Sequence, residues 1–479
     1  MNEAGPTPTT ASKHVHAFGD DALADHDGTA VAALLRSGEL SAAEVTEAAI
    51  ARAEQVQPLV NGVHFPDYDR ARRAASGGRA AEGLFAGVPT FVKDNVDVAG
   101  LPTNHGTAAF VAKPARKDSP FLAQYRSLGM TVLGKSRLPE FGFSASTEYL
   151  EGEPVRNPWD LGFSAGASSG GSAALVASGV VPVAHANDGG GSIRIPAAAC
   201  GLVGLKPTRG RFVADSVDRT MPVQIVSQGV VTRSVRDTAA FFAGMEAAWR
   251  NPRLPPVRHV LGPGRTRLRV GLVVDSVNGA RTDDETRRAV LDTAEVLQRL
   301  GHRVEETTMP LEVRFAEDFA RYWALLGLLI TAVGTVDRSF DVAKTDNLTK
   351  GLAARCRKEL ARMPGAVRRL RGSTKEYRRA FADHDVLLSP VLSHTTPPIG
   401  HLSPTLEFDE LFARLETYVA FTPLNNATGS PAMSLPLGRS ARGLPIGVHF
   451  SADLGDERTL LELAYELEEA RPFARIQDA

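Results

Sequence analysis

Residues 166–179 read GASSGGSAALVASG: two hydroxyls, Ser168 and Ser169, framed by Gly166, Gly170 and Gly171 and followed at once by a small, apolar run. Residues 173–177 have the composition of a helix packed tightly against a neighbour, which places the serine pair before a helix N-terminus. One of the two can act as an N-cap there, so position alone does not assign them chemistry. Further on, residues 187–197 read NDGGGSIRIPA. Gly189, Gly190 and Gly191 permit positive φ and a close approach of backbone to ligand, so successive N–H groups can converge on an oxyanion. Ser192 follows with a hydroxyl that can attack a carbonyl whose developing charge those N–H groups hold. Ile193, Ile195, Pro196 and the alanines at 197–199 read as packed chain, which argues against a flexible GGGS turn.

A serine is a poor nucleophile without a base. Of twelve histidines only His185 lies near a candidate serine in the chain, and no carboxylate is clearly placed to orient it. The stretch GVPTFVKDN at 87–95 offers a better base. Lys93 ends the apolar run 88–92, which reads as a buried strand, so its ammonium is desolvated and its pKa lowered. Bringing a lysine from about 10.4 to about 7 asks for roughly 4–5 kcal/mol of differential solvation, which burial at a strand end can supply. A surface ion pair with Asp94 is the plainer alternative for the same residue.

Outward from these stretches, the region 84–245 alternates short apolar runs (88–92, 131–133, 180–184) with helical segments, the pattern of α/β architecture. Residues 1 to about 25 read as a flexible N-terminal segment, and Ser41 with Glu44 forms a capping-box pattern. Residues 251–267 read as a surface connection, 268–274 as a strand and 283–300 as an amphipathic helix ending at Gly301. Between about 310 and 380 the chain is helical. Its longest apolar run, 323–336, falls short of the roughly 20 residues of a membrane span and reads as a buried helix, a candidate wall for a substrate pocket. The basic cluster Arg368, Arg369, Arg371, Lys375, Arg378 and Arg379 reads as a solvated helix face and not a nucleic-acid patch.

The three stretches together resemble the amidase signature family of serine hydrolases. GASSGGS at 166–172 matches the family pattern GGSSGGS, and DGGGSIRIPA at 188–197 matches DTGGSIRxPA, with the family's spacing between Ser168 and Ser192. GKS..PEF at 134–141, RNPW at 156–159, GLKPTRGR at 204–211, FTPLNNATGSPAMSLPLG at 421–438 and GLPIGV at 443–448 resemble family stretches in the same order. The resemblance implies one large α/β domain over 26–479, with a central mixed β-sheet flanked by α-helices. It implies that Ser192 is the acylated nucleophile, Ser168 the proton shuttle preceded by a cis peptide bond, and Lys93 the neutral base. Ser169 matches the residue that hydrogen-bonds the lysine, and the N–H groups of Gly189, Gly190, Gly191 and Ser192 match the oxyanion hole. The implied activity is hydrolysis of a small-molecule carboxylic amide without metal or other cofactor; homodimers are common among similar proteins. An A-type subunit of a tRNA-dependent amidotransferase shares the same core and is the alternative. Two departures, Ala167 for glycine and Gly189 for threonine, remove no catalytic atom and bear on fine geometry and substrate preference.

Two other motifs fail on context. GMTVLGKS at 129–136 fits the P-loop pattern, but strand-like residues fill its supposed cradle and Pro139 would break the helix that must follow. GASSG at 166–170 fits the nucleophile elbow, yet no buried strand precedes it. The 479 residues carry a net charge of −1, which gives no pull toward nucleic acid or membrane. Cys200 and Cys356 give no disulfide framework and metal-ligand spacing is absent. The polar N-terminus lacks a signal-peptide core, so a cytoplasmic location is expected.

Overall fold

The computed structural model describes residues 14–77, 82–309 and 311–479. A three-stranded sheet combines β1 (Val63–Pro66), β2 (Pro89–Lys93) and β3 (Thr131–Ser136) in the order β1-β3-β2, and β4 (Arg156–Asn157) pairs with β5 (Asp160–Ser164). The main sheet holds β6 (Val183–Asp188), β7 (Val203–Lys206), β8 (Ser227–Thr232), β9 (Arg269–Leu272), β10 (Arg303–Glu306), β11 (Val386–Pro390), β12 (Ala432–Arg439) and β13 (Pro445–Ser451). Their order, β10-β9-β11-β13-β12-β7-β8-β6, mixes parallel pairs around β9 with antiparallel pairs elsewhere. Helices cover this sheet, so the expected α/β architecture with a central mixed sheet holds. The two sheets meet where β2 lies along the edge strand β6: Thr90 Oγ1 donates to Val183 O at 3.0 Å, and the Lys93 backbone N–H donates to His185 Nδ1 at 3.1 Å.

The helix Gly170–Ala177 is buried along its whole length, as its small residues require. A Cβ on Gly171 would lie 2.5 Å from Arg137 N and one on Gly170 2.3 Å from Thr147 Oγ1, so only glycine lets this helix start so close to its neighbours. The strand expected at 180–184 begins later, at Val183, because Gly179 turns the chain out of the helix and Val180 and Val181 are buried in the connection. The capping box at Ser41 and Glu44 forms as expected. The connection 251–267 crosses the surface, pinned by buried Val257 and Val260.

The expectation of a flexible N-terminal segment to about residue 25 does not hold for residues 14–25. Residues 1–13 lie outside the described residues, but Val15 N–H donates to Pro158 O, Ala17 N–H to Ser178 O, and Asp21 pairs with buried Arg52. Leu23 is also buried, so these residues belong to the fold.

The helical region carries a second apolar core, built by Arg314–Val336, Asn347–Lys358, Met363–Tyr377 and Phe408–Tyr418. The helix Arg314–Val336 is, by length and composition alone, long and apolar enough to cross a membrane. Its Tyr322 and Ala324 are nevertheless fully buried in that core. The expectation of a buried helix over 323–336 holds only for its first part, since Leu329 is 50% and Val336 85% exposed. The basic cluster is exposed as expected, apart from half-buried Arg369, and is also tied down. Arg369 pairs with Asp318, Arg371 donates to Pro222 O and Arg378 pairs with Asp453, which ties the helix Met363–Tyr377 to the rest of the chain.

Candidate active site

β2 is buried throughout, and its last residue is Lys93. The lysine Nζ lies 2.7 Å from Ser168 Oγ in a hydrogen bond and donates to Asn187 Oδ1 at 2.7 Å. The peptide bond between Ala167 and Ser168 is cis. Asn187 is fixed by Asn95, whose side-chain amide exchanges two hydrogen bonds with it, so its oxygen faces the lysine. Burial pulls the Lys93 ammonium down from its ordinary value to about 7, against the Asp188 carboxylate, which pushes back. The amine is therefore substantially neutral near pH 7.

The plain ion pair with Asp94 is not formed. Asp94 is buried too, but it turns to Lys135 Nζ at 2.9 Å and to His64 Nδ1 at 2.7 Å. His185 is no base either. Its Nδ1 accepts the Lys93 backbone N–H, its Nε2 meets Gln228 Oε1 at 3.1 Å, and burial pulls its pKa to about 3. The ring positions β2 on β6.

Ser169 stands at the N-cap position of its helix without capping it. Its hydroxyl donates to Asn187 O at 3.3 Å and not to Lys93, contrary to the role the resemblance implied; it reaches the lysine only through Asn187. Lys93, Ser168, Asn187 and Ser169 thus form one buried group. Ser192 is not hydrogen-bonded into it but lines the adjoining cavity, as does Gly142, on which a Cβ would lie 3.0 Å from Ser168 Oγ.

The glycine run departs from expectation in two respects. Only Gly191 takes a positive φ, +136°, whereas Gly189 and Gly190 do not. The Gly191 N–H is also unavailable to a ligand, because it donates to Asp188 Oδ1 at 2.7 Å. Among the described residues, the N–H groups of Gly189, Gly190 and Ser192 carry no protein hydrogen bond, which leaves three of the four expected donors without a protein partner. A Cβ on Gly191 would lie 2.3 Å from Thr422 Oγ1 and 2.6 Å from Ile195 Cδ1. Gly191→Ala is expected to cost about 1–3 kcal/mol in stability and to lower kcat at least tenfold, through both the left-handed φ and the clash. Urea titration and steady-state kinetics check this; a variant with wild-type kcat would show that the loop geometry is not needed.

Asp188 anchors that loop. Besides Gly191 it accepts the Ile193 N–H at 3.1 Å and pairs with fully buried Arg194 at 2.9 Å. Burial alone would push its carboxyl up, but the Arg194 guanidinium overturns that and, helped by Lys206 and Asn426, holds it well below the usual carboxylate range. Arg194 is held in turn by Asn425 Oδ1 at 3.1 Å and Asn426 Oδ1 at 2.7 Å, and Thr422 Oγ1 donates to Gly190 O at 2.6 Å. Sequence reasoning quoted the stretch holding Thr422, Asn425 and Asn426 without assigning it a task. The available signal was the pair of adjacent asparagines in an otherwise apolar segment.

The cavity above Ser192 has a volume of about 120 Å³. Gly190, Ser192 and Ile195 form its floor, with Phe143, Phe319, Trp323 and Phe412 in the walls. Phe143 and Trp323 meet edge to face at 5.5 Å, and Trp323 Nε1 donates to Phe143 O at 3.2 Å. The pocket wall expected from 323–336 is therefore supplied by Trp323 and by the turns before it, among them Phe315 and Phe319.

Residues 44–461 match the family model described as Amidase. The chain belongs to the amidase family. It is an amidase, a hydrolase of amide C–N bonds that acts on small amide substrates. This amidase is 51% identical over 97% of its length to the provisionally named amidase AmiC of Mycobacterium leprae (strain TN), covering 99% of that protein. It is 35% identical to the 6-aminohexanoate-cyclic-dimer hydrolase of Paenarthrobacter ureafaciens, over 93% of this chain and 95% of the other. A solved structure of 6-aminohexanoate cyclic dimer hydrolase superposes with a TM-score of 0.86 at 33% identity, over 96% of this amidase and 99% of that chain.

Proposed function

We propose that this amidase cleaves its substrate through an acyl-enzyme on Ser192, with Ser168 and Lys93 as the proton relay. The observation that carries the reading is the 2.7 Å contact between Lys93 Nζ and Ser168 Oγ in a site where burial brings the amine to about 7. A neutral Lys93 accepts the Ser168 proton while Ser168 Oγ takes the proton of Ser192, whose oxygen bonds to the carbonyl carbon. The oxygen of the tetrahedral intermediate gathers negative charge, and the unpaired N–H groups of Gly189, Gly190 and Ser192 are the donors available to it. Collapse breaks the C–N bond; the leaving nitrogen takes a proton from Ser168, which recovers one from Lys93. Water then adds to the ester carbonyl by the same relay, the acid leaves, and Ser192 regains its proton. Every step uses side chains and backbone of this chain, so the scheme calls on no cofactor.

The relay works only with lysine unprotonated, which fixes the sign of the pH dependence. Activity rises with pH through about 7, is about one-tenth of its plateau one pH unit below that midpoint, and levels off on the alkaline side. Lys93→Ala loses the rise and nearly all turnover while remaining folded, because removing a buried amine also removes its desolvation cost. Initial rates from pH 5 to 9 test this: a flat wild-type profile, or silencing by His185→Ala with Lys93→Ala still active, refutes the lysine base.

The amidotransferase alternative gains no support from the basic cluster, half of which is engaged in internal contacts.

A further inference from the structure

Building on the acyl-enzyme reading above, we infer that this amidase selects its substrate by charge, taking acyl groups that are apolar near the scissile bond and neutral or cationic at the far end, and that Glu416 is the specificity-determining residue. The acyl part stays covalently attached to Ser192, so it must occupy the cavity that Ser192 lines. Near the serine that cavity is aromatic and aliphatic, which favours an uncharged chain or ring. Among its described lining residues none carries a lysine, arginine or histidine side chain, whereas two carry carboxylates, Asp275 and Glu416.

The two carboxylates are not equivalent. Asp275 pairs with Arg287 at 2.8 Å and its side chain is 80% exposed, so its charge is already balanced. Glu416 lies on the helix Phe408–Tyr418, two turns of which wall the cavity through Phe412 and Leu415. Its backbone carbonyl accepts from Asn278 Nδ2 at 2.7 Å, which fixes that part of the rim, but its carboxylate makes no hydrogen bond or ion pair among the described residues. Arg355 is near enough to be felt, yet its guanidinium sits over the Phe412 ring at 4.6 Å and donates to Glu359. Glu416 is exposed at the rim; what desolvation it has pushes its carboxyl up, with Arg355 opposing. An ammonium at the end of a substrate chain would supply that partner. A carboxylate there would meet like charge, while Arg355 is already turned to Phe412 and Glu359.

The test uses three nitroanilides of equal length whose linear acyl chains end in a methyl, an ammonium or a carboxylate, assayed by kcat/KM with the full-length enzyme. An attraction and a repulsion at a partly exposed site are each worth somewhat under 1 kcal/mol, so the ammonium substrate is expected to exceed the carboxylate substrate by about tenfold. E416Q should bring that ratio near unity and E416K should invert it, while D275N should shift it less than E416Q does. A serine-dependent panel with a wild-type ratio under about threefold, or a ratio that survives in E416Q, overturns the inference and leaves the acyl-enzyme reading intact. Turnover of the same substrates by Ser192→Ala would instead sink that reading. Circular dichroism of each variant separates lost selectivity from lost fold.

Discussion

Ser192→Ala is expected to lower amide turnover by on the order of 10^4-fold or more and to abolish covalent labelling by an acylating or phosphonylating probe. The reason is positional. Ser192 lines the cavity and its hydroxyl carries no protein hydrogen bond among the described residues, while Ser168 does not line the cavity and is already hydrogen-bonded to Lys93. Because Ser192 Oγ has no hydrogen bond to lose, the substitution should leave unfolding free energy within about 0.5 kcal/mol of wild type. Stability and activity thereby separate, which excludes misfolding as the cause of the loss. Intact-protein mass spectrometry after incubation with the probe checks the label, and peptide mapping its position. Turnover above about one-hundredth of wild type, or an adduct on Ser168, would remove Ser192 from the nucleophile's place.

Arg194→Met is expected to cost about 3–5 kcal/mol of stability by urea titration, a large share of the roughly 5–15 kcal/mol that holds a typical domain together. Arg194 and Asp188 are both fully buried, and the guanidinium is also the donor for Asn425, Asn426 and His449. Methionine retains most of the apolar stem but leaves the Asp188 carboxylate without its cation and three acceptors without their donor. The damage should reach the chemistry, because Asp188 holds the Gly191 and Ile193 N–H groups and so fixes the loop that presents Ser192. A cost below about 1 kcal/mol would mean that Lys206, the next cation acting on Asp188, replaces the arginine.

Sequence reading recovers the elements whose meaning is local. The strand ending at Lys93, the helix opened by Gly170 and Gly171, and the capping box at Ser41 follow from a buried run, from small residues and from a spacing of three, and each appears. The candidate site is legible in its proposed reacting groups for the same reason: a hydroxyl behind glycines and a lysine at the end of an apolar run are statements about neighbours in the chain. Where sequence reading fails, the direction of a single hydrogen bond decides, and residue order does not set that direction even between near neighbours. Gly191 looked like an oxyanion donor until its N–H was found on Asp188, and Ser169 looked like a lysine partner until its hydroxyl was found on Asn187. The basic cluster is exposed as read, apart from half-buried Arg369, but its anchors Asp318, Pro222 and Asp453 are remote from it in sequence.

What this chain's sequence determines alone is the α/β class, the family and which residues could react, since periodicity, glycine placement and motif order need no third dimension. What only the tertiary structure decides is which N–H groups stay free, which hydroxyl the lysine amine meets, and which side chains line the cavity. Those depend on burial and on the direction of single hydrogen bonds across distant segments. Lys93 shows the division plainly: the run 88–92 predicts that it is buried, but only the meeting of β2 with β6 puts Ser168 and Asn187 within 2.7 Å of its amine while setting Asp94 against Lys135 instead.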